Sequence, residues 1–286
     1  MGSWYKSREK LLFLALALPS LIGILVFYLI PFMESLYMAM IDNPFGRNFA
    51  GLFHFRATLE NFAFRLALRN TMVFVALILP ANMILSLGIA MLLRRAGGRK
   101  GLFILFILLP LTVPSGSVVH FWRSIFSITG VINGTFFPDN PVNWLNTNWA
   151  MGAVVIIFIW KNMGFNIVLF LAGINLIPHE YYEFAQVEGA GRFKQFRSIT
   201  LVYLAPTGFM VFLMTFVQSF RAFREIYLLS GAYPHQSVYM LQHYMNNLFA
   251  MLDYQRISAA SFIMTAGIVA IALVIFYLQR RVVTYE

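Results

Sequence analysis

The chain has 286 residues, 60% of them hydrophobic and only 11% charged, with a formal net charge of +10. A soluble domain carries about 25% charged residues, so the composition excludes an ordinary soluble fold and leaves no stretch for a separate soluble domain. The absence of cysteine removes disulfides and thiol chemistry.

The few charges are clustered. They enclose charge-free runs from Lys10 to Glu34, Arg69 to Arg94, Lys100 to Arg123, Arg197 to Arg221 and Arg256 to Arg280. Each run holds about 22–24 residues, or about 33–36 Å of helix, enough to cross a hydrocarbon core of about 30 Å. A sixth run, near Asn148–Leu176, is interrupted only by Lys161. These runs predict an all-α integral membrane protein, one transmembrane domain over residues 1–286. Its six spans lie near 11–33, 70–93, 101–122, 148–176, 200–226 and 257–279.

The first span is too long for a signal peptide, contains Pro19 and lacks a small-residue cleavage site, so it reads as a retained helix. Asp42–Gly51 is turn-rich. Thr58–Leu68 has a helical pattern with Thr58 as a candidate N-cap, leading into the second span at Asn70. Arg94–Gly101 (RRAGGRKG) reads as a tight inner turn. The third span contains Pro110 and Pro114, each of which frees a carbonyl and permits a bend. Thr129–Asn148, with Gly130, Gly134, Pro138 and Pro141, is an outer loop. Trp144 and Trp149 then flank the fourth span, where aromatic rings favour the headgroup zone. Ser230–Arg256 is the last outer connection, helical through Tyr239–Phe249.

The basic residues sit mostly in short connections, which points to membrane orientation and not to nucleic acid. The sets Lys6, Arg8 and Lys10, then Arg94, Arg95, Arg99 and Lys100, then Arg192, Lys194 and Arg197, then Arg280 and Arg281, alternate with the spans. The positive-inside rule makes all four cytoplasmic, with both termini inside. Arg47, Arg56, Arg65 and Arg69 in the first outer connection run against the rule, and the alternation elsewhere outweighs them.

Sites for covalent chemistry are not apparent. The phosphate-cradling GxxxxGK[ST] is absent, the five histidines lack metal-ligand spacing, and His179 opens HEYYE in place of HExxH. Asn133-Gly134-Thr135 fits a glycosylation sequon by chance. A membrane enzyme would show several paired ionisable groups inside its spans, and few are present. The reading therefore assigns no catalytic residue, no metal ligand and no cofactor to this chain.

The polar island Glu183–Pro206 separates two apolar spans. Pro178 suits a first helical turn, and Glu180 and Glu183 follow where the helix dipole favours acids. Tyr181, Phe184, Ala185 and Glu188 share one face. Gly189 and Gly191 stop the helix, and a second helix, Arg192–Leu201, returns with Phe193 and Phe196. Two short helices projecting into the cytoplasm would present aromatics to a partner's groove. On the residues alone, an amphipathic interfacial elbow fits the same pattern.

This island resembles the EAA loop of binding-protein-dependent ABC importer permeases. The match runs through Glu183-Phe184-Ala185, Gly189 and Ile199-Thr200-Leu201. Phe184 replaces an alanine, Val202 stands where the family has proline, and Glu188 stands where the sugar-importer subgroup has aspartate. The resemblance continues through Leu109-Pro110, Pro114, Trp122, Phe126 and Gly130-Val131-Ile132-Asn133. It extends to Ile159-Trp160-Lys161, Gly164-Phe165-Asn166, Leu171-Ala172-Gly173, Ser230–Pro234, Asp253-Tyr254 and Ala259-Ala260. Together these are similar to the sugar-type permeases, the group of the maltose and glycerol-phosphate permeases.

The resemblance implies a type I importer permease in a bacterial plasma (inner) membrane. It implies a second homologous permease, more often a distinct paralogue than an identical copy, two ATP-binding subunits that hold ATP and Mg, and an extracytoplasmic solute-binding protein. The coupling loop, about 178–199, would then dock on the ATPase through Glu180, Glu183, Phe184, Ala185, Glu188, Gly189 and Phe193. Pro110, Pro114 and Pro206 are candidate points of bending between two states.

Ionisable groups within spans are functional candidates. Lys161, Asn162 and Asn166 in the fourth span, and Gln218, Arg221 and Arg224 in the fifth, are the candidate solute path. Amides and guanidinium forks suit the hydroxyls and carboxylates of a carbohydrate. The positive excess favours an acidic oligosaccharide or a sugar phosphate. Outward snorkelling, or pairing of Arg221 with Glu225, accounts for the same residues. A stand-alone ion-coupled carrier is the rival reading. It requires broken helices in two matching halves and acids in mid-span, neither of which is visible in the sequence.

Overall fold

The computed structural model describes residues 14–283. Lys6, Arg8 and Lys10, and the first residues of the first span, lie outside them. Apart from one isolated antiparallel bridge, Ile41 with Phe49, the described residues are helices and connections. We number the helices α1 (Leu14–Ala39), α2 (Phe53–Glu60), α3 (Phe62–Arg94), α4 (Lys100–Thr112), α5 (Ser115–Phe126), α6 (Val131–Phe136) and α7 (Ala150–Asn175). There follow α8 (His179–Val187), α9 (Arg192–Tyr203), α10 (Ala205–Ser219), α11 (Phe223–Ser230), α12 (Leu241–Ala250) and α13 (Tyr254–Val283).

Four helices are long and apolar enough to cross a membrane: α1, α3, α7 and α13 through Tyr277. Two more spans exist if each of two bent pairs counts as one. The expected third span is broken: Lys100–Thr112 and Ser115–Phe136 lie at 100°. Val113 and Pro114 leave the helix here, because proline lacks an N–H and its ring disfavours α geometry in the residue before it. The expected fifth span is also broken, at Leu204, by 67°. Pro206 stands in the first turn of α10, and the helix ends again at Ser219. The sequence shows no broken helices in matching halves and names Pro110, Pro114 and Pro206 as points of bending; the breaks fall at Pro114 and beside Pro206, while Pro110 stays inside α4. The expectation for Thr58 is corrected. It lies inside α2, fully buried, and the break falls at Asn61, so the second long helix begins eight residues ahead of Asn70.

The chain divides into two compact units. The first holds the described residues up to Asn61 together with Asn247–Gly267. Within it the Ser35 hydroxyl donates to Ser258 Oγ at 3.2 Å and Phe32 packs on Phe262, tying α1 to the start of α13. Asp253 caps α13 through the Arg256 N–H at 3.1 Å. The Asp42–Gly51 turn is organised by the Asp42 carboxylate, which accepts from the Asn48 N–H and the Asn48 side chain, both at 3.0 Å. The most apolar stretch of α1 is wholly unburied within the chain, as a lipid-facing helix requires.

The second unit holds Phe62–Asn246 and the residues from Ile268. Helix α7 is its axis. Phe74 and Ile78 of α3 meet Val154 and Phe158 of α7 and Ile226 of α11. One end gathers Ala90, Leu93, Ile167, Phe170, Ile174, Leu204 and Val211. Another face gathers Val118, Trp122 and Phe126 of α5 with Ala153, Ile157 and Leu229. Lipid tails are as apolar as these side chains, so close fit and hydrogen bonds hold the helices together more than water exclusion does. Gly164 shows the fit: a Cβ there would stand 2.3 Å from the Ile107 carbonyl oxygen of α4. A buried polar node supplies the bonds. The Asn166 amide of α7 donates to Asn82 Oδ1 of α3 at 2.8 Å and to Thr215 Oγ1 of α10 at 2.9 Å, and Ser86 also donates to Asn82.

The Gly130–Asn133 motif has a structural task. The Asn133 amide donates to the carbonyls of Ser127, Ile128 and Val142 and accepts from the Val142 N–H and the Trp144 indole, at 2.8–3.1 Å. A Cβ on Gly130 would stand 2.5 Å from the Ile125 carbonyl oxygen. The sequon asparagine is thus consumed as the hub of its loop.

Candidate functional site

Two sites emerge in the second unit. The loop at 178–199 is shaped by short-range rules. Pro178 is the N-cap of α8, one position ahead of the first turn that the sequence suggests, and Glu180 lies in that turn. The helix ends in a Schellman motif. Gly189 adopts φ +74°, its N–H donates to the Gln186 carbonyl at 3.0 Å, and the Ala190 N–H reaches the Ala185 carbonyl at 2.8 Å. Glycine is required by that positive φ and not by crowding, since nothing lies within 4 Å of its absent Cβ. The Gln195 side chain donates to the Ala190 carbonyl at 2.8 Å and closes the corner. Beyond it, α9 runs through a π turn, Phe196–Thr200.

The loop exposes apolar side chains. Phe184 is 71% exposed, Val187 88% and Phe193 76%. Glu180, Glu183, Glu188 and Gly189 are exposed, and Ala185 is half-buried. Glu183 Oε1 accepts from His179 Nδ1 at 2.9 Å, one turn away. The sequence reading did not single out Tyr182, the inward-facing member of α8. Its ring lies under the Arg94 guanidinium, 4.8 Å away, and its hydroxyl hydrogen-bonds Thr200 Oγ1 at 3.0 Å. A half-apolar, half-polar ring among exposed neighbours is the signal that could have found it.

The second site is a cleft of about 590 Å³ lined by residues of α4, α5, α7, α10, α11 and α12 and of the turn between α10 and α11. Lys161, Asn162, Gln218, Arg221 and Arg224 all line it. Asn166 does not: it is fully buried in the polar node with Asn82 and Thr215. Pairing of Arg221 with Glu225, left open by the sequence, is replaced by a different contact. Lys161 Nζ pairs with Glu225 Oε1 and donates to Ser115 Oγ at 2.9 Å, while the Ser115 hydroxyl donates to Glu225 at 2.9 Å. This triad joins α5, α7 and α11 with its charges mostly removed from solvent, at 17% and 15% exposure. A charge so desolvated needs its partner and its hydrogen bonds.

Arg221 and Arg224 make no ion pair or side-chain hydrogen bond among the described residues and are exposed to the cleft. Gln218 adds a buried Oε1 without a partner, while the Asn162 amide donates to the Phe158 carbonyl at 2.8 Å. Ser115 and Gln242 belong to the wall as well, and neither carries a sequence signal. The balance of Lys161, Arg221 and Arg224 against Glu225 leaves two guanidinium groups without a carboxylate partner among the described residues. Among the described residues no group of histidines and carboxylates is placed to hold a metal ion.

Comparison with known proteins gives a consistent picture. Residues 100–284 match the family described as binding-protein-dependent transport system inner membrane component. The chain is 30% identical to the trehalose/maltose transport system permease protein MalF of Thermococcus litoralis, across 98% of this chain and 96% of that one. It is 28% identical to the sn-glycerol-3-phosphate transport system permease protein UgpA of Agrobacterium fabrum, across 96% and 97%. In fold it superposes on a chain of a bacterial ABC transporter involved in import of the acidic polysaccharide alginate, with a TM-score of 0.85 and 22% identity, covering 99% of this chain and 100% of that one.

Proposed function

The chain belongs to the family of binding-protein-dependent transport system inner membrane components, and on that premise we propose that it is a permease subunit of an ATP-driven carbohydrate importer. The relatives' cargoes, trehalose or maltose and glycerol 3-phosphate, support a carbohydrate or polyol phosphate as solute. The chain provides half of a path whose other half is a second permease, with a distinct paralogue favoured over an identical copy. Two ATP-binding subunits sit beneath and hold ATP and Mg, and an extracytoplasmic solute-binding protein delivers cargo. This chain hydrolyses nothing itself. It lies in a bacterial plasma membrane with both termini in the cytoplasm.

The observation that carries the coupling role is α8, a short helix with exposed Phe184 and Val187 closed by the Gly189 cap. Isolated short helices are marginal in water, so a helix that turns aromatics outward has use for a partner's groove. Glu183, Ala185, Glu188 and Phe193 complete that docking surface. The cleft supports a narrower solute class. Two guanidinium groups without carboxylate partners among the described residues favour an acidic oligosaccharide or a sugar phosphate, which Arg221 and Arg224 would engage by charge-assisted hydrogen bonds. An ion-coupled carrier would keep an ionisable acid available in mid-span. Glu225 is instead committed to Lys161 and Ser115.

Uptake into energised vesicles from the native membrane tests this reading. The panel is maltose, trehalose, glycerol 3-phosphate and an oligouronate, each with and without ATP. ATP-dependent uptake of an acidic member, lost in the Arg221→Ala, Arg224→Ala variant, is the expected result. ATP-independent uptake sinks the importer reading. Uptake of a neutral sugar alone, undiminished in the variant, sinks the acidic-solute reading.

A further inference from the structure

The helix α8 stands off the bundle. A cleft of about 810 Å³ lies between it, the inner end of α3 and the return helix α9, lined among others by Met91, Arg95, Gln186 and Arg192. Tyr182 bridges this gap. Its ring packs against the cluster of Leu93, Ile174 and Leu204, with its face under Arg94, the last residue of α3, and its hydroxyl on Thr200. Thr200 is buried and ends the π turn of α9, four residues before the 67° bend at Leu204. Inserted π turns are frequent at functional positions. Helix α3 in turn carries Asn82, which accepts from Ser86 one turn on and from Asn166 of α7, and the same Asn166 amide reaches Thr215 of α10. One ring therefore touches the helix that meets the ATPase, a membrane-spanning helix, and the segment leading into a bent one.

We propose that Arg94 and Tyr182 are positioning residues that carry displacement of the coupling loop into α3 and the α9–α10 bend. The inference rests on the coupling role proposed above. Without the Arg94–Tyr182–Thr200 contact, the open space beside α8 would absorb its movement before the bundle felt it. A guanidinium over a tyrosine face resists both separation and tilting of the ring, through charge–quadrupole attraction and stacking. Arg95 is the internal control. It lines the same cleft and carries the same charge, with no ring contact among the described residues.

The test uses the whole complex, purified with its ATPase partners and reconstituted in liposomes. The chain has no cysteine, so the thiol of Gln242→Cys, on the wall of the solute cleft, is its only one. The modification rate of that thiol by a membrane-impermeant reagent is measured with MgATP alone and with MgATP plus vanadate. The parent shows a vanadate-dependent change. Arg94→Ala and Tyr182→Leu are expected to keep the bound ATPase and its turnover, while the vanadate-dependent change shrinks roughly two- to fivefold, as loss of a cation–π contact allows. Arg94→Lys restores most of it, Tyr182→Phe falls between, and Arg95→Ala matches the parent. Equal behaviour of Arg94→Ala and Arg95→Ala overturns the proposal. If Arg94→Ala does not assemble, Arg94→Gln and Arg94→Lys are compared, and equality between those two overturns it. A parent that purifies without ATPase, or shows no vanadate response, fails a different claim, the coupling role itself.

Discussion

The loop at 178–199 takes its shape from neighbours in the chain. Pro178 starts α8, Gly189 ends it, and Gln195 closes the corner on Ala190. The cleft proposed for the solute takes its shape from distant ones: Ser115 of α5, Lys161 of α7, Glu225 of α11 and Gln242 of α12. A locally determined element keeps its form while exposed and moving, which suits a part that must be pushed. A cleft assembled from several helices changes its form when any of them shifts, which suits a part that must open and close. The loop is expected to tolerate loss of stability and not loss of its cap, and the cleft the reverse.

Lys161→Ala probes the cleft most severely. It leaves the desolvated Glu225 without its counter-charge, with only Ser115 as a donor, and a loss of about 3 kcal/mol is expected, as for other broken buried pairs. Thermal unfolding in detergent measures it. A Lys161→Met, Glu225→Leu double variant should recover most of that loss, because two apolar groups leave no orphan charge. If the single variant melts like wild type, the triad does not hold the cleft.

Gly164→Ala comes next. Its methyl would meet the Ile107 carbonyl oxygen, which is backbone and cannot rotate aside. Overpacking at about 2 kcal/mol, with α4 displaced from α7, is the expected outcome of the same melting experiment.

Acidity separates the two regions. His243, next to Gln242 on α12, is fully buried against Phe223 and Tyr239, and burial lowers its pKa from 6.5 to about 4. Among the described residues no carboxylate contributes to that shift. The unfolded chain gains a proton as pH falls below 6.5 while the folded chain stays neutral until about 4, so folding stability drops through that window. Between pH 7 and pH 5 the linkage amounts to about 1–2 kcal/mol. His243→Asn should flatten the dependence, and an unchanged slope would remove this cause.

Gly189→Ala has the smallest effect on stability. Its positive φ costs an L-residue about 1 kcal/mol, confined to the helix end. Its expected effect on ATPase attachment is nonetheless larger than that of Lys161→Ala, and co-purification yields of the two variants compare them directly.

The sequence was informative wherever the cause is local. Span positions need only a count of apolar residues, and α7 falls within two residues of its expected bounds. The Gly189 stop follows from one residue's backbone freedom. Prolines 114 and 206 marked the two breaks, but the angles of 100° and 67° depend on what the following helix packs against. Thr58 was misplaced because the preceding turn, held by Asp42, lets α2 begin at Phe53. Asn162 and Asn166 are four apart and share a face of α7, yet a turn of helix carries one to the cleft and the other to α3. Pairing of Glu225 with Lys161 and not with nearby Arg221 was illegible for the same reason: it is decided by helix packing across 64 positions.

The most direct test of the account is isolation of the chain from its native membrane in mild detergent, with ATPase activity measured in the eluate. Wild type and a Glu183→Ala, Gly189→Asp double variant are handled side by side. A second permease and an active ATPase are expected to accompany wild type, and the variant is expected to keep the permease and lose the ATPase. Wild type eluting alone and without ATPase activity would contradict the account.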